Sequence, residues 1–405
     1  MIKAKLVEIV ETAFRDACGD GRLGSLTASE VPAIHLQRPR LPEHGDLSCG
    51  LALQLAARLK SSPLTIAETL ADYIERSEAN DRRHIAIFEV ARPGFINFTL
   101  GAAWPAEILS SILRLGPSYG QNLSLVGAGA RIMLSMPPAT NQESLLWRRS
   151  QIYGEALARL VKFAGYGLVA GGSQENVEKR LQVLPAGHIW ESPADGWEIL
   201  FTQGVKLSPG GLSGYRALQE SIGEDGCRFY LTAERQNTVI LNLQQAVAGN
   251  GENPLFVVQY AYARCCAVLR RALEPYADSE GLKDALIEEQ DWLNFLDCCK
   301  QNPDLLVPLF DSDPAISLQQ KALINRLEEF PEAVQWAVRD WQPARIAAYA
   351  VELANDLQKF YQLCRIINCS EKLSVSKARL GLIFATRQVL SNALGIIGVS
   401  TPERM

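Results

Sequence analysis

"PPATNQESLLWRRSQIYGEALARL", residues 137–160, follows the apolar run Ile132-Met133-Leu134 and decides how the middle of the chain is read. An apolar strand, a polar loop and a long helical repeat open a β-loop-α unit, where α/β sheets hold ligands. Loops that cradle phosphate there carry Gly for close backbone approach and a Lys, Ser or His for chemistry. This loop offers Gln142, Glu143, Leu145, Leu146 and Trp147, with neither Gly nor His. The pattern predicts a helix over Glu143–Ala164. "GYGLVAGG" (165–172) then supplies a turn and a strand that returns by a right-handed parallel crossover.

Beyond this unit the stretch 173–215 reads as irregular, apart from a strand-like "GWEILFTQGVKL" (196–207). A doubly wound sheet needs several more such units. The expectation is a reduced α/β, Rossmann-like central domain over residues 124–247.

Upstream, residues 1–118 read as an α+β domain. A first helix is expected over Lys3–Ala17. A second carries Leu51, Leu55 and Leu59 at i, i+4, i+8, with Asp46 placed to cap it, and a third is entered through Pro63. "HIAIFEVARPGFINFTL" (84–100) alternates on both sides of Pro93-Gly94 and predicts a pair of strands. Tyr119–Ala130 reads as a linker. Downstream, residues 248–405 read as an all-α helical bundle, in which Ile346, Tyr349, Ala350, Leu353, Leu357, Phe360 and Cys364 share one helix face.

Composition is that of an ordinary globular protein, 47% apolar and 21% charged. No apolar run approaches the roughly 20 residues that span a bilayer, and the N-terminus is unlike a signal peptide. Nine cysteines without a CxxC and four scattered histidines predict reduced thiols in a cytoplasmic protein with no metal site and no membrane association. The net charge of −5 is uneven: residues 251–340 carry 8 basic and 16 acidic groups, residues 341–405 carry 8 and 4. A basic terminal segment suits an anion-facing surface or, equally, a solvated helix face.

Several stretches in chain order resemble class I arginyl-tRNA synthetases. "EHGDLSCGLALQLAARL" (43–59) and "RPGFINFTL" (92–100) are similar to that family's N-terminal domain, which grips the tRNA elbow. "NPLFVVQYAYAR" (253–264), "PARIAAYAVELANDLQKFYQLCRI" (343–366) and "RLGLIFATRQVLSNALGIIGVSTPERM" (379–405) resemble its DALR-type anticodon-binding domain. Register from "GEALARLVKFAGYGL" (154–168) puts the family's His-x-Gly-His signature on Ser144, Leu145, Leu146 and Trp147. Ser135, Pro137, Thr140, Arg149 and Ser150 match the surrounding pattern, and Pro138 departs from it. The second signature falls on Lys206, Leu207 and Ser208, followed by Pro209 and Gly210. No histidine stands between His84 and His188.

The departures at Ser144 and Trp147, and the short stretch between Val169 and Phe201, predict that aminoacylation is lost. On that expectation the chain is no enzyme and needs no cofactor. It binds tRNA, of the arginine type by analogy, in a regulatory or chaperone-like role. Phe95 and Asn97 are the residues that the resemblance places at the elbow. Gln259, Tyr260, Arg264, Arg345, Tyr349, Arg387 and Met405 are those it places on the anticodon side, since guanidiniums and Tyr rings suit phosphates and unstacked bases. Core is the alternative for Phe95, Tyr349 and Tyr361, and a buried structural pair for Arg387. A second reading, a scaffold for a protein partner, rests on Trp292, Phe295, Phe330 and Trp336 among acidic residues, provided they form an exposed patch.

Overall fold

The structure, a computed structural model, describes residues 2–24, 31–39, 41, 44–76, 84–137, 143–170, 177–187, 197–208, 214–273, 275–277, 283–285, 287–310, 314–367 and 372–405. Pro138, Thr140, His188, Pro209 and Gly210 lie outside them. The chain divides into two compact units, Met1–Glu107 and Ile108–Met405.

In the first unit, α1 (Ile2–Gly19), α2 (Leu51–Leu59) and α3 (Pro63–Arg76) accompany a four-stranded antiparallel sheet. Its strands are β1 (Leu36–Gln37), β2 (Leu47–Cys49), β3 (Ile85–Ala91) and β4 (Phe95–Leu100), in the order β1-β2-β4-β3. Alternation on β4 sends Ile96, Phe98 and Leu100 into the core and leaves Phe95, Asn97 and Thr99 on the other face. Asp46 does not cap α2, as the sequence suggested. Its Oδ2 accepts the Leu100 amide at 2.7 Å, and Gly50 stands at the N-cap without a side-chain bond. A nearby carboxylate serves whichever unpaired amide the sheet leaves closest.

Helix α4 (Ala103–Leu115) leads into a 3-10 turn at Gly116–Ser118 and a short helix α5 (Leu123–Ala128), where the sequence suggested a linker. Asn122 caps α5 by accepting the Ser124 amide at 3.1 Å. The parallel sheet follows, from β5 (Arg131–Ser135), β6 (Gly167–Ala170), β7 (Lys179–Pro185) and β8 (Trp197–Thr202), in the order β6-β5-β7-β8. Helix α6 (Leu145–Phe163) makes the crossover from β5 to β6. A two-stranded parallel pair, β9 (Val205–Ser208) with β10 (Val239–Asn242), brackets α7 (Tyr215–Leu231). The α/β part is thus fuller than one unit and fragments. Strand β7 escaped the sequence reading because it opens on Lys179-Arg180 and closes on Pro185, which argue against a central strand. Its Leu181 and Val183 are nonetheless buried between β5 and β8.

After α8 (Leu243–Val247) the regular elements among the described residues are helices, apart from the short pair β11 (Pro275–Ala277) and β12 (Lys283–Ala285), which the sequence did not suggest. The bundle comprises α9 (Pro254–Leu273), α10 (Glu289–Gln301), a 3-10 stretch (Pro303–Phe310), α11 (Pro314–Arg339), α12 (Ala344–Leu363) and α13 (Leu373–Ile397). By length and composition α13 could cross a membrane, which the sequence reading did not credit. Here it is a core helix, buried along most of its length. The fold is therefore an α+β N-terminal region, a parallel-sheet central region and a helical C-terminal region.

Candidate functional site

The crevice after β5 is a topological switch point: the chain leaves β5 for β6 on one side and later adds β7 on the other. Ser144 is the N-cap of α6, its hydroxyl facing the Trp147 amide at 3.5 Å. Trp147 itself is 8% exposed. Leu145 packs against a cluster built from Ile152, Tyr215, Leu218, Leu231, Val239 and Leu241. The apolar residues in the opening stretch are thus used to seat α6 against α7 and the β9–β10 pair.

Arg149 explains the rest of that seat. It is fully buried, and its guanidinium donates to the carbonyls of Gln203 (2.6 Å), Gly204 (3.1 Å), Asn237 (2.8 Å), Ala233 (3.3 Å) and Glu234 (2.8 Å). Burial pulls its pKa down to about 10, while five carbonyl dipoles favour the charged form. Ser150 shares a 2.6 Å hydroxyl–hydroxyl bond with Thr202 of β8. Arg148 lies over the Tyr215 ring at 4.5 Å, and burial pushes the Tyr215 phenol up to about 12. Lys206 and Ser208 stand exposed on β9. Among the described residues no group of His, Cys, Asp or Glu is arranged to hold a metal ion.

In the bundle, Asn253 orients α9. Its Oδ1 accepts the amides of Leu255 (3.0 Å) and Phe256 (3.2 Å) and the Tyr230 hydroxyl (2.8 Å), while its Nδ2 donates to Ala246 O (2.8 Å) and Ala248 O (3.1 Å). Pro254 then occupies the first turn, where a missing N–H costs nothing. From this start α9 presents Phe256, Tyr260 and Arg264 at i, i+4 and i+8, along one face. Phe256 and Tyr260 stack with centroids 5.6 Å apart and planes 13° from parallel. The Arg264 guanidinium sits 3.8 Å from the centroid of Tyr361 on α12 and 5.8 Å from that of Tyr260, and donates to the Tyr260 hydroxyl at 3.3 Å. These rings and the amides of Asn355 and Gln358 line a groove of about 280 Å³ between α9 and α12. No carboxylate among the described residues pairs with Arg264.

The other expected positions are spread out. Gln259 turns from the groove to donate to Asp225 Oδ2 at 2.8 Å. Tyr349 is buried, with its hydroxyl on Arg326 O at 2.7 Å, so it is core and is withdrawn from the anticodon side. Arg345 is held at the start of α12 by Asp340 at 2.6 Å, and Arg339 and Arg345 hold the Asp340 carboxyl below its ordinary range. Arg387 lies over Phe384 at 4.6 Å, in a separate groove of about 550 Å³ that includes Trp292, Arg270 and Glu403. It is neither in the α9–α12 groove nor in a buried ion pair. Met405 is 57% exposed. Phe256, Asn355 and Gln358 were missed, although the Phe-x3-Tyr-x3-Arg spacing was available in the sequence.

In the first unit, Phe95 is 36% exposed and lies over Gly50, where an added Cβ would come within 3.3 Å of its ring. Asn97 is only 9% exposed, on the central strand between Ser48 and Glu89. Phe95 is therefore available to stack on a base, and little of the Asn97 amide is. The aromatic patch expected for a protein partner is absent: Trp292 and Phe330 are buried, Phe295 stacks on Trp292, and Trp336 alone is strongly exposed.

Two family profiles match the chain, the arginyl tRNA synthetase N terminal domain over residues 2–100 and the DALR anticodon binding domain over residues 258–405. The arginine–tRNA ligase of Symbiobacterium thermophilum is 24% identical over 590 aligned residues, which take in 99% of this chain and 100% of that protein. The relative thus carries stretches without a counterpart here. A Desulfitobacterium hafniense arginine–tRNA ligase is 34% identical over 191 residues, 47% of this chain and 29% of the relative. Among solved structures, the Thermus thermophilus arginyl-tRNA synthetase superposes with a TM-score of 0.67 at 14% identity, covering 100% of both chains. The Plasmodium falciparum enzyme gives 0.65 at 11% identity, covering 100% of this chain and 99% of the other. These likenesses overturn the expectation of a chain that is no enzyme. That expectation rested on Ser144, Trp147 and a missing length of fold, whereas relatives named as ligases align across nearly the whole sequence and the sheet has four parallel strands.

Proposed function

We propose that this chain, an arginyl-tRNA synthetase-like protein with that family's N-terminal domain and DALR anticodon-binding domain, binds tRNA of the arginine-accepting type and works in the arginine–tRNA ligase reaction for which its relatives are named. The observation that carries the reading is the α9–α12 groove. Tyr260 and Tyr361 offer ring faces, Asn355 and Gln358 offer amides, and Arg264 offers a cation with no carboxylate partner among the described residues. An unpaired anticodon base needs this set: a face to stack on, donors and acceptors for its edge, and a cation for its phosphate. Phe95 is the second contact, a stacking surface for an elbow base. The division into 1–118, 124–247 and 248–405 belongs to the same proposal. The side chains that the resemblance aligns with the two ATP signatures, Ser144 at the start of α6 and Lys206 and Ser208 on β9, are the ones assigned to phosphate.

The test is binding to a panel of tRNA transcripts across a salt series, with arginyl-tRNA formation measured from ATP, arginine and the tRNA that binds best. Preferential binding of arginine-accepting tRNA is expected. Tyr361→Ala weakens it by about 1–3 kcal/mol, the range for one stacked base. Binding no tighter than that of a random RNA of equal length overturns the proposal.

A further inference from the structure

We infer that Asp225 is a positioning residue for RNA discrimination: its carboxylate locks the C-terminal tail and helix α9 into one register, on which the selectivity of the α9–α12 groove depends. The inference rests on the proposed tRNA binding. Asp225 lies two residues after Gly223, whose φ of 74° and ψ of 172° interrupt α7, so that Glu224 and Asp225 head a fresh helical segment. Only glycine adopts that conformation without strain, and the break turns the following side chains away from the face of the first half.

From this position Asp225 closes a ring between three distant parts of the chain. Its Oδ1 accepts the Ser400 amide at 3.0 Å, and its Oδ2 accepts the Gln259 side-chain amide at 2.8 Å and the Ser400 hydroxyl. Gln259 Nε2 also reaches Ser400 O at 3.2 Å and Ser400 Oγ at 3.3 Å. Gln259 is the residue before Tyr260, so the ring sits beside the groove's aromatic face, about 100° round α9 from it. Ser400 opens the tail that ends at the exposed Glu403, Arg404 and Met405.

A second clamp fixes the tail just upstream. Arg159 of α6 donates from Nε to Ile396 O at 3.1 Å and from Nη2 to Ile397 O at 2.8 Å, capping the C-terminus of α13. Glu155 joins Arg159 (3.8 Å) to Arg228 of α7 (2.9 Å), and Arg228 also pairs with Glu224 (2.9 Å). With α13 already held there, the Asp225 ring is not needed to keep that helix in place. Its geometry instead sets where the last residues lie and how Gln259 holds the groove helix.

The experiment compares affinity for an arginine-accepting tRNA transcript with affinity for the same transcript carrying a replaced anticodon triplet. It uses the wild-type chain, D225N, S400A, a chain ending at Val399, and D225N in that shortened chain. Asparagine keeps the shape but not an acceptor for every donor. D225N should lower the discrimination ratio by about tenfold, the size of one charge-assisted hydrogen bond. S400A should lower it less. Deleting the tail should match D225N, and the combination should add nothing, because both remove one unit. Equal loss of affinity for the two transcripts, or an unchanged ratio with a lowered melting temperature, marks a purely structural bond and overturns the inference while tRNA binding stands. A wild-type chain that binds neither transcript better than random RNA overturns both.

Discussion

At the scale of single residues, Arg149 has the most demanding environment. A guanidinium taken out of water normally requires a carboxylate, because an uncompensated buried charge costs several kcal/mol. Here five backbone carbonyls take that place, drawn from the β8–β9 turn and the loop between α7 and β10. The arrangement is a bracket: one side chain on α6 fixes two loops that would otherwise bury unpaired carbonyls. Arg149→Met removes the guanidinium from all five carbonyls, of which Gly204 O and Glu234 O keep the Val239 and Asn237 amides, and should lower unfolding stability by about 3–5 kcal/mol, measured in denaturant. Arg264 is the opposite case, a half-buried cation with ring faces and one hydroxyl but no carboxylate. Arg264→Gln should leave stability nearly unchanged and reduce the slope of log affinity for tRNA against log salt by about 1.

At the scale of elements, glycines in one helix divide by environment. Gly398 ends α13 at φ 82°, and a Cβ there would come within 2.4 Å of the Arg159 guanidinium. Gly395, one turn earlier, is exposed, with nothing within 4 Å of an added Cβ. Gly398→Ala should therefore destabilise by about 2 kcal/mol, combining left-handed backbone strain with loss of the Arg159 cap. Gly395→Ala should stabilise by about 0.5–1 kcal/mol, since alanine loses less backbone entropy in a helix. Thermal melts of the two variants read the difference. The apolar face of α12 was legible from period alone, because burial on a bundle helix follows the 3.6-residue repeat. Strand β7 was not, because its burial comes from β5 and β8 and its ends are charged or prolyl.

At the scale of the whole molecule, charge and chemistry are distributed unevenly. Arg264 is the one cation among the residues that line the groove, and the segment 251–340 that supplies α9 carries a net of −8, so phosphate contacts should be few. The salt slope for tRNA should accordingly be shallow, with total phosphate contacts below the 6–10 that cost about 10³–10⁵ in affinity between 50 and 200 mM salt. A steep slope would place the RNA on surfaces other than this groove. At the same scale, counting signature residues misjudged the chain. Two positions, Ser144 and Trp147, weighed heavily in the sequence, whereas likeness to ligases extends from the first helix to the last residue.

The sequence by itself determined the order of regions, most helices, the β3–β4 pair and the aromatic and basic make-up of α9. Those depend on neighbours a few residues apart, through backbone preference and the period of apolar residues. Tertiary structure alone decided which tyrosine is core (Tyr349) and which lines the groove (Tyr260, Tyr361), how far Asn97 is covered, and which amide Asp46 satisfies. It also decided that residues 225, 259 and 400 meet. Such pairings are set by where the chain returns after 34, 54 or 175 residues. Short-range pattern carries no record of that, because the same side chain can satisfy any donor that packing brings within about 3 Å.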